Sequence, residues 1–95
     1  MNLYVQLSFP GPNWIPGKPI YEQNLMEHAK YQERLLEQGK LVLAGPFSDS
    51  SGGLTVLKVE TENEARAIME KDPAVIDGVF KAHVRPWHVV FQSED

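Results

Sequence analysis

Strand-like and helix-like segments follow one another in the order β-α-β-β-α-β, and this order constrains the fold more than any other feature. Residues 2–9 alternate between apolar and polar side chains, which predicts a strand with one buried face. Residues 41–47 and 54–60 are apolar on both faces, which predicts two central strands covered on both sides. Residues 79–91 form the last predicted strand, with Pro86 at a bulge or a sheet edge. The row of the first strand expected to be buried comprises Leu3, Val5, Leu7 and Phe9.

Two segments have the periodicity of amphipathic helices. Residues 21–38 carry apolar side chains every three or four positions, and residues 62–71 do so after Thr61, which has capping-box spacing to Glu64. Residues 10–19 contain four prolines and two glycines, which predicts a loop. The stripe of the first helix comprises Leu25, Ala29, Gln32 and Leu36, with His28 and Leu35 beside it.

The order predicts a single α+β domain over residues 1–95 with ferredoxin-like topology. In that topology two helices cover one face of a four-stranded antiparallel sheet. The other face would expose an apolar patch on the order of several hundred Å² if nothing covered it. A second copy related by two-fold symmetry would cover this face, so a homodimer is expected. The alternative is a monomer whose loop over residues 10–19 folds across the sheet.

Composition argues against several classes of partner. The net charge is -4 and Lys and Arg are scattered singly, which argues against binding nucleic acid or an anionic membrane. The chain contains no cysteine, which excludes disulfides, thiolate catalysis and cysteine-based metal sites and fits a cytoplasmic location. No signal-peptide pattern is present, and no apolar run approaches the roughly 18 residues that span a membrane.

His28 and Asp72 are the candidate catalytic residues. His28 lies at the margin of the apolar stripe, where a partly buried imidazole can act as a general base or acid. The alternative is a histidine at the core edge that makes one structural hydrogen bond. Asp72 precedes Pro73, which predicts the N-cap of a short turn through Ile76. Asp72 can also hold His28 in one tautomer, and both roles are compatible.

The remaining histidines predict no metal site. His83 and His88 lie five positions apart on the last strand, where an odd spacing places them on opposite faces unless a bulge at Pro86 resets the register. Arg85, between them, can bind a substrate carboxylate bidentately, although a solvated strand face is the alternative.

Trp14 and the segment Gly45-Pro46-Phe47 are expected to line a small-molecule pocket between the first helix and the sheet. The backbone N–H groups near Gly45 and Phe47 would stabilise a developing oxyanion there. No phosphate-binding loop and no dinucleotide motif occurs, so no cofactor is expected.

Several segments form one combined pattern: the helix containing His28 with residues 38–47, residues 52–56, 64–75 and 78–80, and Val84-Arg85-Pro86-Trp87. Together they resemble the YCII-related family. The resemblance covers nearly the whole chain and implies a dimeric α+β barrel with a His and Asp site at His28 and Asp72. It also implies an activity similar to that of a dehydrochlorinase acting on a chlorinated hydroxyquinol, or of a muconolactone isomerase. The chain departs from the family pattern in its longer loop over residues 10–19.

The leading hypothesis is a cofactor-free enzyme that acts on a small cyclic molecule by proton abstraction, followed by elimination or isomerisation. His28 would transfer the proton and Asp72 would orient it. The alternative is a homodimer that binds a small ligand or assists another protein without catalysis. A cofactorless oxygenase is a third hypothesis, which rests on fold analogy alone.

Overall fold

The computed structural model describes residues 1–94 and contains four strands, three α-helices and one 3₁₀ turn. The short turn Ile20–Glu22 precedes the first helix. In chain order the elements are β1 (Asn2–Pro10), α1 (Met26–Glu37), β2 (Leu41–Pro46), β3 (Gly53–Val59), α2 (Glu62–Glu70), α3 (Pro73–Ile76) and β4 (Phe80–Trp87).

The four strands form one antiparallel sheet in the order β2-β3-β1-β4, with the helices on one face. This is the predicted ferredoxin-like α+β fold. The expectation that β2 is a central strand is wrong, because β1 and β3 occupy the centre and β2 lies at an edge. Val42 and Leu43 are accordingly exposed, and a register shift separates Leu41 from Leu43. The continuous apolar run of β2 therefore predicted more burial than this edge strand has.

The buried face of β1 is the opposite of the one predicted. Tyr4, Gln6 and Ser8 face the helices and are buried. The apolar row is only partly covered, and Phe9 at its end is exposed. Alternation correctly separated the two rows, but only the position of the helices decides which row is inside. The apolar open face of the sheet, which the helices leave uncovered, comprises Leu3, Val5, Leu7, Phe9, Leu43 and Val56.

Helix α1 is shorter than predicted, because it begins at Met26 after the separate turn Ile20–Glu22. Its core residue is Leu35, which is 6% exposed, whereas the predicted Leu36 is 56% exposed. Gly39 ends the helix in the left-handed region with φ 74°.

Side-chain caps begin the next two helices as predicted. The Thr61 hydroxyl accepts a hydrogen bond from the Glu64 N–H at 3.1 Å and starts α2. Asp72 accepts the Ala74 N–H at 2.9 Å and starts α3, with Pro73 at the first helical position. The main core cluster packs α1 and α2 against the sheet and comprises Tyr4, Leu35, Leu41, Leu57, Val59, Ala65, Ile68 and Val84.

Strand β4 ends at Trp87 rather than continuing to residue 91. Trp87 pairs with Leu3, and only Asn2 of β1 lies beyond that pair, so β1 is too short to pair with β4 as far as residue 91. Pro86 lies opposite Tyr4 in β4, which is an edge strand of the sheet. An edge strand tolerates a residue that has no N–H to donate. Residues 88–94 follow without regular secondary structure.

Candidate functional site

His28 and Asp72 are in direct contact. Nδ1 of His28 lies 2.8 Å from each carboxylate oxygen of Asp72. An ionised carboxylate only accepts hydrogen bonds, so Nδ1 carries the proton in this contact, and in the neutral imidazole the lone pair is then on Nε2. The contact joins α1 to the start of α3 across 44 residues of sequence.

Burial and the helix cap fix the position of the Asp72 carboxylate. Asp72 is 2% exposed, and its Oδ1 accepts the Ala74 N–H as well as the His28 ring nitrogen. The two roles predicted for this residue, helix cap and partner of His28, are therefore combined in one side chain. A carboxylate held by a backbone N–H in this way restricts the orientation of the imidazole.

An aromatic group supports the other side of the imidazole. The ring of Phe80 meets the His28 ring edge-on, with centroids 5.4 Å apart. Trp14 packs behind Phe80 with centroids 6.0 Å apart, so the loop over residues 10–19 reaches the site through this contact.

His28 lies in the wall of a cleft of about 500 Å³ between α1 and the sheet. This volume is typical of a small-molecule site. Because Nδ1 faces Asp72, Nε2 on the far edge of the ring is the nitrogen available to a molecule in the cleft. The cleft is lined by Ser8, Ile20, Tyr21, Gln23, Leu25, Met26, His28, Ala29, Gln32, Gly45, Pro46, Gly53, Leu54, Thr55 and Phe80.

The structure brings only some of the predicted binding residues to this cleft. Gly45 and Pro46 line it, and Trp14 supports it from behind Phe80. Phe47 does not line it, and its N–H donates to the Gly52 carbonyl at 2.8 Å, so this group is unavailable to an oxyanion. Arg85 pairs with Val5 on the open face of the sheet, on the side away from His28, because alternation in β4 directs it there.

Four polar residues of the cleft were not predicted as site residues. Gln32 lies one turn after His28 on α1, and this spacing of four was a usable signal. Ser8 belongs to the row of β1 that was expected to face outward, and Thr55 of β3 had no predicted role in the site. Gln23 anchors the loop, since its amide binds the Ile15 N–H and the carbonyls of Ile15 and Lys18 at 2.8–3.0 Å.

The negative charge of Asp72 also acts on Tyr31, one turn after His28. The Tyr31 hydroxyl donates to the Ile68 carbonyl at 2.8 Å. Burial raises the pKa of Tyr31 above its usual value of 10.0, and the charge of Asp72 raises this pKa further.

Within residues 1–94, no three His, Cys, Asp or Glu side chains are grouped as a metal site would require. The helices in this part of the chain are also too short or too polar to cross a bilayer.

The chain is similar to several known proteins. The profile of the family described as YCII-related domain matches residues 3–88. The uncharacterized protein YjpA of Bacillus subtilis (strain 168) is 30% identical over 66 residues, which cover 70% of this chain and 78% of YjpA. A solved structure with a similar fold is 5-chloro-2-hydroxyhydroquinone dehydrochlorinase (TftG) from Burkholderia phenoliruptrix AC1100, in complex with 2,5-dihydroxybenzoquinone. That similarity has a TM-score of 0.69 at 23% identity and covers 90% of this chain and 93% of TftG.

Proposed function

Because this chain belongs to the YCII-related family, we propose that it is a cofactor-free enzyme that transfers a proton on a small cyclic molecule. The observation that carries the proposal is the His28 imidazole, which lines a cleft and is held at Nδ1, 2.8 Å from a buried carboxylate, so that Nε2 is the ring nitrogen left for a ligand. A histidine oriented by a carboxylate is a general acid–base group in many unrelated enzymes.

The proposed step is abstraction of a proton from a carbon or hydroxyl group of the ring molecule by Nε2 of His28. In an elimination from the keto tautomer of a chlorinated hydroxyquinol, the electron pair of the broken O–H bond forms a C=O bond, the ring double bond shifts, and chloride leaves the tetrahedral ring carbon with its own electron pair. In an isomerisation, the protonated His28 returns the proton to another carbon of the same molecule. Asp72 stabilises the imidazolium that exists between these steps and stays ionised.

The TftG likeness supports elimination as the reaction to test first. The name of that protein states dehydrochlorination of 5-chloro-2-hydroxyhydroquinone, and its bound 2,5-dihydroxybenzoquinone is an oxygenated six-membered ring. A cleft of about 500 Å³ accommodates a molecule of this size.

The direct test is chloride release from 5-chloro-2-hydroxyhydroquinone, measured for the wild type and for His28→Ala. We expect turnover by the wild type and a decrease of about 10²–10⁴-fold in His28→Ala, the usual contribution of general acid–base catalysis. Replacing His88 by alanine is the matched control, because this histidine is exposed and lies beyond the end of β4. Turnover that is equal in the wild type and in His28→Ala would refute the role of His28.

A binding protein without catalysis is the second candidate function. It is favoured by one observation: the described residues that line the cleft include no Asp, Glu, Lys or Arg that could act as a second proton donor or acceptor beside His28. In that case, His28→Ala would change ligand affinity while no chloride is released by any variant.

We also propose that two copies form a homodimer through the open face of the sheet. Leu43 is 59% exposed on this face in the single chain, so Leu43→Lys should leave the monomer folded and disrupt the dimer. Sedimentation should give twice the 10.7 kDa chain mass for the wild type and less for this variant. Ile76→Lys on α3 is the control, and a wild type that sediments as a monomer at high concentration would contradict the proposal.

A cytoplasmic location and the absence of a nucleic-acid partner remain predictions from the cysteine-free and acidic sequence. Cell fractionation tests the first. A gel-shift experiment with mixed DNA and RNA tests the second, and retention of either nucleic acid at physiological salt would contradict it.

A further inference from the structure

A row of uncharged polar side chains lies on the helix-covered face of the sheet, next to the cleft, and in β1 this is the face that was expected to point outward. Ser8, Gln6 and Thr55 are each 5% exposed or less, and Gln6 lies directly opposite Thr55 in the β1–β3 ladder. Ser8 and Thr55 both line the cleft. Burying polar groups costs free energy unless they find hydrogen-bond partners, so this row requires an explanation.

The hydrogen bonds of this row leave free groups that point to a ligand. Nε2 of Gln32 donates to the Thr55 hydroxyl at 2.8 Å, which leaves the Thr55 proton and the Gln32 carbonyl oxygen available. Within residues 1–94 the Ser8 hydroxyl makes no hydrogen bond. No fully buried side-chain polar atom in this part of the chain lacks a partner, so the Ser8 hydroxyl must reach the open space of the cleft. The cleft thus offers both donors and acceptors to an oxygen atom.

The charge of the cleft limits what can bind there. None of the residues that line it is Lys, Arg, Asp or Glu, and the buried carboxylate of Asp72 lies behind His28. A ligand carboxylate placed against this row would be desolvated without a cationic partner. A neutral hydroxyl or keto oxygen would instead find hydrogen bonds.

The helix geometry sets the position of this oxygen relative to the reacting atom. Gln32 follows His28 by one turn of α1, which separates the two residues by about 6 Å along the helix axis. We propose that Ser8, Thr55 and Gln32 form a subsite for an uncharged oxygen, and that this subsite selects a neutral ring with a hydroxyl or keto group across the ring from the atom at His28. The assignment of the reacting atom rests on the proposed function; the oxygen subsite itself is tested by binding alone.

The test compares two matched probes, hydroquinone and 4-hydroxybenzoate, in which a carboxylate replaces one hydroxyl. Isothermal titration with the full chain should show saturable binding of hydroquinone and at least about tenfold weaker binding of 4-hydroxybenzoate. Thr55→Val and Ser8→Ala should each weaken hydroquinone binding roughly two- to tenfold, the effect of one hydrogen bond between neutral groups. Thr55→Ser keeps the hydroxyl and should restore wild-type affinity.

Two controls separate the subsite from general damage to the protein. Ser48→Ala changes an exposed serine of the β2–β3 turn, and Gln38→Leu changes an exposed glutamine beyond the end of α1; neither should affect binding. In the His28→Ala background, Thr55→Val should still weaken binding by the same factor. If His28 is not catalytic, the binding result at the subsite still stands. If the subsite does not bind hydroquinone, the test of catalysis by His28 still stands.

Three results would overturn the subsite. These are no saturable binding of hydroquinone to the wild type, binding of 4-hydroxybenzoate equal to or tighter than that of hydroquinone, or unchanged hydroquinone affinity in both Thr55→Val and Ser8→Ala.

Discussion

Replacing Asp72 by alanine removes two interactions at once, so its effect on stability can be worked out from the structure. The carboxylate is 2% exposed and accepts the Ala74 N–H at 2.9 Å, which caps α3. It also accepts the proton of His28 Nδ1 at 2.8 Å. Both donors are left without this partner in Asp72→Ala.

The two losses have separate magnitudes. Removing an N-cap side chain costs about 0.5–2 kcal/mol. Leaving a largely buried donor such as His28 Nδ1 unsatisfied costs about 1–3 kcal/mol. We therefore expect the free energy of unfolding of Asp72→Ala to be lower than that of the wild type by roughly 1.5–5 kcal/mol, a large part of the stability of a small domain.

Asp72→Asn separates the two interactions. The asparagine carbonyl can still accept the Ala74 N–H, and asparagine is an equally good N-cap, so only the charge-assisted bond to His28 is lost. The expected loss is about 1 kcal/mol. Urea unfolding at fixed protein concentration measures both values, and ¹⁵N NMR of His28 reports whether Nδ1 keeps its proton.

Asp77→Ala is the matched control, because Asp77 is an exposed aspartate at the other end of α3. It should change stability by no more than about 0.5 kcal/mol. The reasoning is refuted if Asp72→Ala unfolds at the same urea concentration as Asp77→Ala, or if Asp72→Asn is as damaging as Asp72→Ala.

Four further predictions concern other contacts. Asp72→Asn should lower the pKa of Tyr31 in an NMR titration, because it removes a charge that raises this pKa; an unchanged Tyr31 titration would contradict the contact. Because the Tyr31 pKa is raised only in the folded state, Tyr31 ionises at lower pH in the unfolded chain. The free energy of unfolding should therefore decrease as pH rises above about 10, and this decrease should be smaller in Tyr31→Phe. Gln23→Leu should abolish amide exchange protection at Ile15, whose N–H binds the Gln23 side chain at 2.8 Å, and protection equal to that of the wild type would argue against this anchor. In urea unfolding, Leu35→Ala should lower the free energy of unfolding by about 2–5 kcal/mol. Leu36→Ala should lower it by much less, because only Leu35 lies in the core, and equal effects of the two substitutions would contradict this difference in burial.

Local sequence signals predicted the elements well where the determining interaction is itself local. Thr61 and Asp72 are helix caps because each reaches an N–H two or three residues away. Gly39 ends α1 because its own backbone adopts positive φ. The order of elements then limits the sheet to few arrangements, and the ferredoxin-like one was correct.

Errors arose where the deciding contact is distant. The periodicity of α1 contained both Leu35 and Leu36, and packing against the sheet chose Leu35. β4 does not reach residue 91 because only Asn2 of β1 lies beyond the Leu3–Trp87 pair, and nothing in residues 88–91 indicates this. For β2, the sheet order rather than its composition placed an apolar strand at an edge.

The candidate site divides in the same way. By itself, the sequence determined that His28 lies on a helix and that Asp72 caps a short turn, since both follow from neighbouring residues. Only the tertiary structure decided that these side chains meet, that Arg85 lies on the other side of the sheet, and that Ser8 and Thr55 face the cleft. The physical reason is that strand alternation fixes two faces without naming the inner one. The packing of the helices makes that choice, and with it the choice of the residues that meet a ligand.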